Sequence, residues 1–305
     1  MWCDTSMGVI HNSTTDHAAA TSSAPSVLRE VAVTVAEAAA ALVRARRPEV
    51  FGVMGAQVRA RAGNSVQSKS TPTDPVTVVD TEAEQLIRTR LAELRPQDAI
   101  LGEEGGGENG IGGTRWVVDP IDGTVNFLYG IPAYSVSVAA QVDGVSVAGA
   151  VVDVAGGITY SAAAGEGATF TDADHSGVLS CNPVTDSSLA LLATGFAYSA
   201  QRRSAQGRLL GKVLPHVRDI RRIGSAALDL CMVASGRVDA TFEHGLNPWD
   251  WAAGALIASE AGARVHLPTP DTRGAAGEVV IAMAPGIADD LEAVFRSAGV
   301  YDPIP

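Results

Sequence analysis

Two aspartates three residues apart, Asp119 and Asp122, end an apolar run and are followed at once by Gly123 and Thr124. The apolar run predicts a buried strand, which stops at the first aspartate, directly before Pro120. Carboxylates are the hard oxygen ligands that Mg²⁺ prefers. Free amides in a turn that begins a helix can bind a phosphate group. The segment therefore predicts a site for a metal ion and a phosphate.

Acids from two other segments could complete such a site. Glu103 and Glu104 follow a short predicted strand, and Asp250 lies in the first turn of a predicted helix that Asn247 caps and Pro248 begins. Each acid also has an ordinary explanation, as a loop acid, a turn former or a charge that complements the helix dipole. Taken together, they predict a cluster of carboxylates from three separate segments.

The composition excludes several classes of partner. The chain has 305 residues, of which 46% are hydrophobic and 18% charged, and its net charge is -12. Such an acidic chain is unsuited to nucleic acid or to an anionic membrane surface.

Its three cysteines, Cys3, Cys181 and Cys231, form neither a disulfide framework nor a zinc motif. With no apolar run that could cross a membrane and no secretory signal, we expect a cytoplasmic protein.

The elements that must position the acids differ between the two halves of the chain. Residues 1–26 predict a disordered tail, rich in Ser, Thr and Ala. Residues 27–183 predict an α+β half that contains two helices and an antiparallel meander, with Asp143-Gly144 as a hairpin turn. Residues 184–305 predict a mixed α/β half, in which strands and helices alternate. The fold class is therefore α+β joined to α/β.

Two helix starts are predicted from capping residues. Ser26 is a suitable N-cap for an alanine-rich helix that extends to Arg46, and Asp80 could cap a second helix that ends at Leu94 before Pro96.

Three short motifs in this order resemble the signatures of the inositol monophosphatase family. They are Gly102-Glu103-Glu104, Asp119-Pro120-Ile121-Asp122-Gly123-Thr124 and Trp249-Asp250. The similarity also covers Lys69-Ser70, residues 74–81, residues 222–227 and Glu243-His244-Gly245. This resemblance implies a layered αβαβα sandwich and Mg²⁺-dependent hydrolysis of a phosphomonoester.

The resemblance also implies a set of metal ligands. Glu103, Asp119 and the carbonyl of Ile121 would hold one ion. Asp119, Asp122 and Asp250 would hold a second ion, with Asp119 bridging the two, and a third ion would lie near Glu103. The implied cofactor is thus two to three Mg²⁺ ions.

The predicted catalytic residues are Asp80, Thr124 and Glu103. By the resemblance, Asp80 and Thr124 orient a water molecule and help to remove its proton, as a carboxylate acting through a hydroxyl. The amides of Gly123 and Thr124 would hold the phosphate group. Lys69 and Glu104 would support the metal site without contacting the ions.

The substrate pocket is the last part of the prediction. Glu243 matches the family's acid for the inositol ring hydroxyls, and Ser225, Ala226 and Ala227 would leave room for a ring. A small phosphorylated polyol is the expected substrate, and the resemblance suggests inhibition by Li⁺ and a homodimer. Histidinol phosphate, fructose 1,6-bisphosphate and adenosine 3',5'-bisphosphate stay open as substrates. So does a regulatory binding protein that retains the fold.

Overall fold

The computed structural model describes residues 23–52, 65–69, 75–107, 113–270 and 272–304. Of the predicted tail, residues 1–22 lie outside this part of the chain. Residues 70–74 also lie outside it, and among them Ser70 and Asp74 belong to the segments that carry the family resemblance. Among the described residues, no helix is both long enough and apolar enough to cross a membrane.

Helix α1, Pro25–Phe51, is longer than predicted at both ends. Its N-cap is Ala24 rather than Ser26, because a proline at the first helical position already has the helical φ angle and needs no bonded N–H group. The helix continues past Arg46 until the Gly52 N–H donates to the Pro48 carbonyl at 2.9 Å. Its buried face repeats every three or four residues and consists of Leu28, Ala32, Val35, Ala36, Ala39, Ala40, Val43 and Phe51.

Helix α2, Val78–Leu94, begins with a capping box. The N-cap is Thr77, whose hydroxyl accepts the Val79 N–H at 3.2 Å. The Thr77 N–H in turn donates to Oδ2 of Asp80 at 2.9 Å. The prediction of Asp80 as the N-cap was therefore wrong by three residues, since Asp80 is the acid of the first turn that completes the box.

The larger sheet has seven strands in sequence order. They are β3 Ala99–Gly102, β4 Thr114–Asp122, β5 Ser135–Val142, β6 Val145–Asp153, β7 Ile158–Ala163, β8 Ala168–Thr171 and β9 Ser176–Val178. Only β3 and β4 pair in parallel, and the others form the predicted antiparallel meander. The hairpin at Asp143-Gly144 is confirmed, with both residues at positive φ as a two-residue turn of this kind requires. Strands β1 Val66–Ser68 and β2 Pro75–Thr77 pair separately.

The smaller sheet has five strands in the order β11-β10-β12-β14-β13. They are β10 Leu191–Thr194, β11 Asp219–Arg221, β12 Ala240–His244, β13 Arg264–His266 and β14 Val279–Met283. Strand β10 pairs in parallel with β11 and β12, while β14 is antiparallel to its neighbours. The remaining α-helices of the described residues are α3 Thr124–Tyr129, α4 Ala200–Val213, α5 Ala226–Ala234, α6 Pro248–Glu260 and α7 Ala288–Ala298.

The elements stack in the predicted layered αβ arrangement. Helices α1 and α2 cover one face of the seven-stranded sheet and form one core with it. Helices α5 and α6 lie between the two sheets, and their buried residues form a second core with residues of both. Helices α4 and α7 contact each other on the far side of the smaller sheet. The fold class is confirmed, while the division of the chain near residue 183 stays a prediction.

Candidate active site

The end of β4 brings the two aspartates onto one face of the sheet. In a regular strand, residues three apart point to opposite faces. Here Asp119 pairs with Ser137 and Asp122 pairs with Ser135, so three steps along β4 match two along β5. This bulge contains Pro120, which has no N–H to donate and is therefore accommodated at an irregular position. Both carboxylates consequently face the layer of helices between the sheets.

Each of these aspartates is fixed through one of its oxygens. The Ile121 N–H donates to Oδ1 of Asp119 at 3.0 Å. Oδ2 of Asp122 accepts the Ser225 hydroxyl at 2.6 Å and the Ala227 N–H at 2.7 Å. Because α5 begins at Ser225, the start of this helix holds Asp122 in place. Anchoring one oxygen leaves the other available as a ligand.

Two further aspartates occupy the same position in two different helices. Asp250 is the third residue of α6, as Asp80 is of α2, and each completes a capping box. The Asn247 N–H donates to Oδ2 of Asp250 at 2.6 Å. Asp80 uses its other oxygen, Oδ1, to accept the Thr124 hydroxyl at 3.0 Å. The capping box thus fixes one oxygen and aims the side chain.

Glu103 and Glu104 lie in the turn after β3. The Lys69 ammonium donates to Oε1 of Glu103 at 2.7 Å and to Oε1 of Glu104 at 2.6 Å. Burial raises the pKa of Glu104 to about 7, although the Lys69 hydrogen bond opposes this. These two acids are the only members of the predicted set in the described chain with a recorded ion pair to a cation.

A cleft of about 540 Å³ joins the residues of the predicted site. The predicted residues that line it are Lys69, Glu103, Asp119, Ile121, Asp122, Gly123, Thr124, Ala226, Glu243 and Asp250. Asp80 and Ser225 are buried directly behind it, where they contact Thr124 and Asp122. The structure therefore gives Ser225 an anchoring contact with Asp122, and its contact with substrate stays a prediction.

The acids of the cleft raise one another's pKa values. Burial raises the pKa of Asp119 well above its usual value, and Glu103, Asp122 and Asp250 add to the effect. Burial is also the main reason that the pKa of Asp250 rises well above its usual value and that of Asp122 rises to about 6. Burial raises the pKa of Glu243 to about 7. Such a cluster is costly without a cation nearby.

This donor set fits divalent metal ions. It consists of carboxylates and one carbonyl, the oxygen ligands of Mg²⁺. Burial, together with the charges of the neighbouring acids, raises the pKa values of Asp119 and Asp250, and bound cations would oppose both effects. Among the described residues, no three His, Cys, Asp or Glu side chains already have the geometry of a metal site. The side chains would therefore have to close around an ion when it binds.

Three residues near the site have contacts that were not predicted from the sequence. Buried Glu84 accepts the backbone N–H of Glu104 at 2.7 Å; its signal was its position four residues after Asp80 on the same helix face. Arg222 belongs to a segment that carries the family resemblance, and it lines the cleft. Gly195 leaves space for the Glu243 side chain, because a Cβ at residue 195 would lie 2.0 Å from the Glu243 carboxylate. No pattern in the sequence pointed to Gly195.

Comparisons with known proteins agree with the motifs. The sequence pattern of the inositol monophosphatase family matches residues 24–296. The inositol-1-monophosphatase SuhB of Mycobacterium tuberculosis is 59% identical over 289 residues, which cover 92% of this chain and 97% of that protein. The solved structure of Mycobacterium tuberculosis SuhB superposes with a TM-score of 0.76 and 53% identity, and covers 91% of this chain and 98% of that one.

A relative with a different name is also similar. The Nus factor SuhB of Escherichia coli is 40% identical over 191 residues, which cover 62% of this chain and 70% of that protein. The family match, by contrast, extends over nearly all of the described structure. On the strength of that match and of the 59% identity, the chain belongs to the inositol monophosphatase family.

Proposed function

We propose that this protein hydrolyses inositol monophosphate to inositol and phosphate, with Mg²⁺ as its cofactor. The single observation that carries the proposal is the cleft that gathers Glu103, Asp119, Asp122 and Asp250 from three segments beside Gly123 and Thr124. The family membership supports a phosphatase, and the high identity to proteins named inositol-1-monophosphatase supports this substrate.

In this proposal, the acids hold the ions in the arrangement that the resemblance implies. Glu103, Asp119 and the Ile121 carbonyl would hold one ion, and Asp119, Asp122 and Asp250 would hold another. When bound, such ions neutralise the phosphate dianion and acidify a water molecule. The anchored oxygens of Asp119, Asp122 and Asp250 keep the three carboxylates oriented while the other oxygens serve as ligands.

Thr124 orients the attacking water and passes a proton towards Asp80. Its hydroxyl has one hydrogen and two acceptors at 3.0 Å, Oδ1 of Asp80 and the Ile121 carbonyl. With Oδ1 of Asp80 as its acceptor, the Thr124 hydroxyl keeps its lone pairs free to accept a hydrogen bond from water. Burial raises the pKa of Asp80 to about 6, which brings this carboxylate near the range of a useful general base.

Glu243 and the small residue Ala226 form the proposed pocket for the polyol ring. Glu243 lies at the end of β12 beside the cleft, where a carboxylate can accept hydrogen bonds from two neighbouring hydroxyl groups. The Gly123 and Thr124 amides, at the start of α3, are placed to hold the phosphate group.

A panel of phosphomonoesters tests this function. We expect Mg²⁺-dependent phosphate release to be most efficient with inositol monophosphate, compared with histidinol phosphate, fructose 1,6-bisphosphate and adenosine 3',5'-bisphosphate. Efficient release from only one of the other three compounds would identify that compound as the substrate and leave the proposed phosphatase reaction unchanged. No release from any of them would contradict the enzymatic function and favour the regulatory alternative, which the partial similarity to the Nus factor SuhB supports only weakly.

We also propose that the protein is a homodimer in the cytoplasm that binds neither nucleic acid nor membranes. Light scattering of the purified protein would test its mass in solution. The acidic net charge of -12 supports the absence of a nucleic-acid partner.

A further inference from the structure

Helix α2 carries two buried acids on one face, and the proposed reaction uses only one of them. Asp80 contacts Thr124. Glu84 lies one turn further along, with its side chain 3% exposed. An acid is rarely buried this fully unless its oxygens have hydrogen-bond partners. The contacts of Glu84 therefore indicate its role.

Both oxygens of Glu84 bind the turn that contains the two glutamates. Oε2 accepts the Glu104 N–H at 2.7 Å, and Oε1 accepts the Gly105 N–H at 2.8 Å. Arg88, one turn later, donates to Oε1 of Glu84 at 2.7 Å and to the Gly106 carbonyl at 2.6 Å. The Glu84–Arg88 pair therefore holds three consecutive residues of the turn through their backbones.

The same carboxylate explains why glycines flank the glutamates. Neither Gly102 nor Gly105 has positive φ, so the backbone itself does not require glycine at either place. A Cβ on Gly102 would lie 2.5 Å from Oε1 of Glu84, and a Cβ on Gly105 would lie 2.7 Å from the same atom. The space that a side chain would take at these two positions is occupied by Glu84.

Apart from the Glu84–Arg88 pair, the Gly102 N–H donates to the Gly106 carbonyl at 3.0 Å and so helps to hold the backbone of Glu103. On the sheet side, its N–H donates to the Val118 carbonyl at a longer 3.3 Å. Its side chain is held by Lys69, and this ion pair is partly exposed to solvent. Hydrogen bonds to a buried carboxylate are charge-assisted, and solvent screens them less than this ion pair.

We infer that Glu84 is a positioning residue that fixes the turn after β3 and so places Glu103 for metal binding. Because α2 also carries Asp80, this one rigid helix sets the distance between Glu103 and the Asp80–Thr124 pair. This inference rests on the proposed metal-dependent function.

The first test measures the Mg²⁺ affinity of the Glu84→Gln variant by calorimetric titration of Mg²⁺ into the metal-stripped protein. The amide keeps the size of the side chain, but its NH₂ group cannot accept a backbone N–H. We expect Mg²⁺ affinity to fall by about 10- to 100-fold, as is usual when a residue behind a metal ligand is changed. The Mg²⁺ concentration for half-maximal activity should rise equally, while KM for substrate at saturating Mg²⁺ stays unchanged. Glu82→Gln, on the same helix and paired with Arg46, is the matched control.

A double-mutant cycle gives the second test. Gly102→Ala should weaken Mg²⁺ binding because its methyl group displaces Glu84. If so, adding Gly102→Ala to Glu84→Ala should lower the Mg²⁺ affinity little further, because the Glu84 carboxylate that the methyl group displaces is already absent. Gly207→Ala, at a helical position with open space around it, is the control for the added methyl group.

The outcomes separate this inference from the proposed function. If the unaltered protein binds no Mg²⁺, the proposed function fails first. If it binds Mg²⁺ but Glu84→Gln binds equally well, or the two changes add independently, only the inference fails. Loss of the folded state in Glu84→Gln, seen by circular dichroism, would assign Glu84 to stability and also overturn the inference.

Discussion

The end of β4 and the turn after β3 both supply acids to the cleft, but they are built differently. Asp119 is 1% exposed and held within a sheet by its own neighbours in the chain. Glu103 is 21% exposed in its side chain and lies in a turn whose supports come from α2 and from Lys69. The first region is therefore fixed by the fold, and the second depends on contacts between distant segments. Changes at the first should abolish activity, and changes at the second should adjust metal affinity.

The largest expected effect is at the fixed region. Asp119→Asn removes a negative charge from the centre of the cluster while keeping its shape. We expect kcat/KM to fall by about 10³-fold or more, a loss of ~4 kcal/mol of transition-state stabilisation. Phosphate-release kinetics would measure it. Asp219→Asn, an exposed aspartate paired with Arg221, should leave kcat/KM unchanged; near-normal activity of Asp119→Asn would remove the bridging role.

A smaller loss is expected at Thr124, which the same segment places beside Asp80. Thr124→Ala removes the hydroxyl between the water and the carboxylate, and kcat should fall by about 10²-fold. Thr124→Ser keeps the hydroxyl and should retain most of the activity. If the serine and alanine variants were equally slow, the hydroxyl would not be the group that matters.

The buried acids should make stability depend on pH in the absence of metal. Their pKa values are raised in the folded state, to about 6 for Asp122 and about 7 for Glu243, so the folded protein holds protons that the unfolded chain releases. The free energy of unfolding should therefore fall as pH rises from about 4 to 7, by about 1.4 kcal/mol per pH unit for each extra proton held. Buried His244 has a lowered pKa, so this single group makes the free energy of unfolding rise with pH and offsets only part of the decrease.

Bound Mg²⁺ should counteract the fall in the free energy of unfolding as pH rises. Chemical denaturation at pH 5 and pH 8, with and without Mg²⁺, would measure the free energy of unfolding. Stabilisation by Mg²⁺ should be larger at pH 8, where the acids are ionised and ready to bind. Equal stabilisation at both pH values would contradict a cluster of mutually repelling acids.

The smallest expected effect is at the adjustable region. Lys69→Met removes a cation that competes with metal ions for Glu103, and the partly exposed ion pair contributes less than about 1 kcal/mol. We expect Mg²⁺ affinity to rise by about two- to fivefold, with kcat nearly unchanged. Weaker Mg²⁺ binding would show instead that Lys69 holds Glu103 in its binding position.

The contrast between the two regions also explains what could be predicted from the sequence. The Asp143-Gly144 turn and the cap of α6 at Asn247 depend on a few adjacent residues, and both were predicted correctly. Asp80 was misplaced by three residues because Thr77 and Asp80 each have a side chain that can cap, and only the bonded geometry distinguishes them.

Features that join distant segments left weaker signals. The bulge between Asp119 and Asp122 exists only through its pairing with β5. The two glycines around Glu103 depend on Glu84, about twenty residues earlier, and their backbone angles gave no hint of this. The acids of the site could be named from the sequence, but the contacts that hold them could not.

The most direct test of the account is to return Mg²⁺ to the metal-stripped protein while measuring phosphate release from inositol monophosphate. We expect no release without a divalent ion and a saturable rise in release as Mg²⁺ is added, and we expect Asp119→Asn to show no such rise. Equal release with and without Mg²⁺ would contradict the central claim that these acids act through bound metal ions.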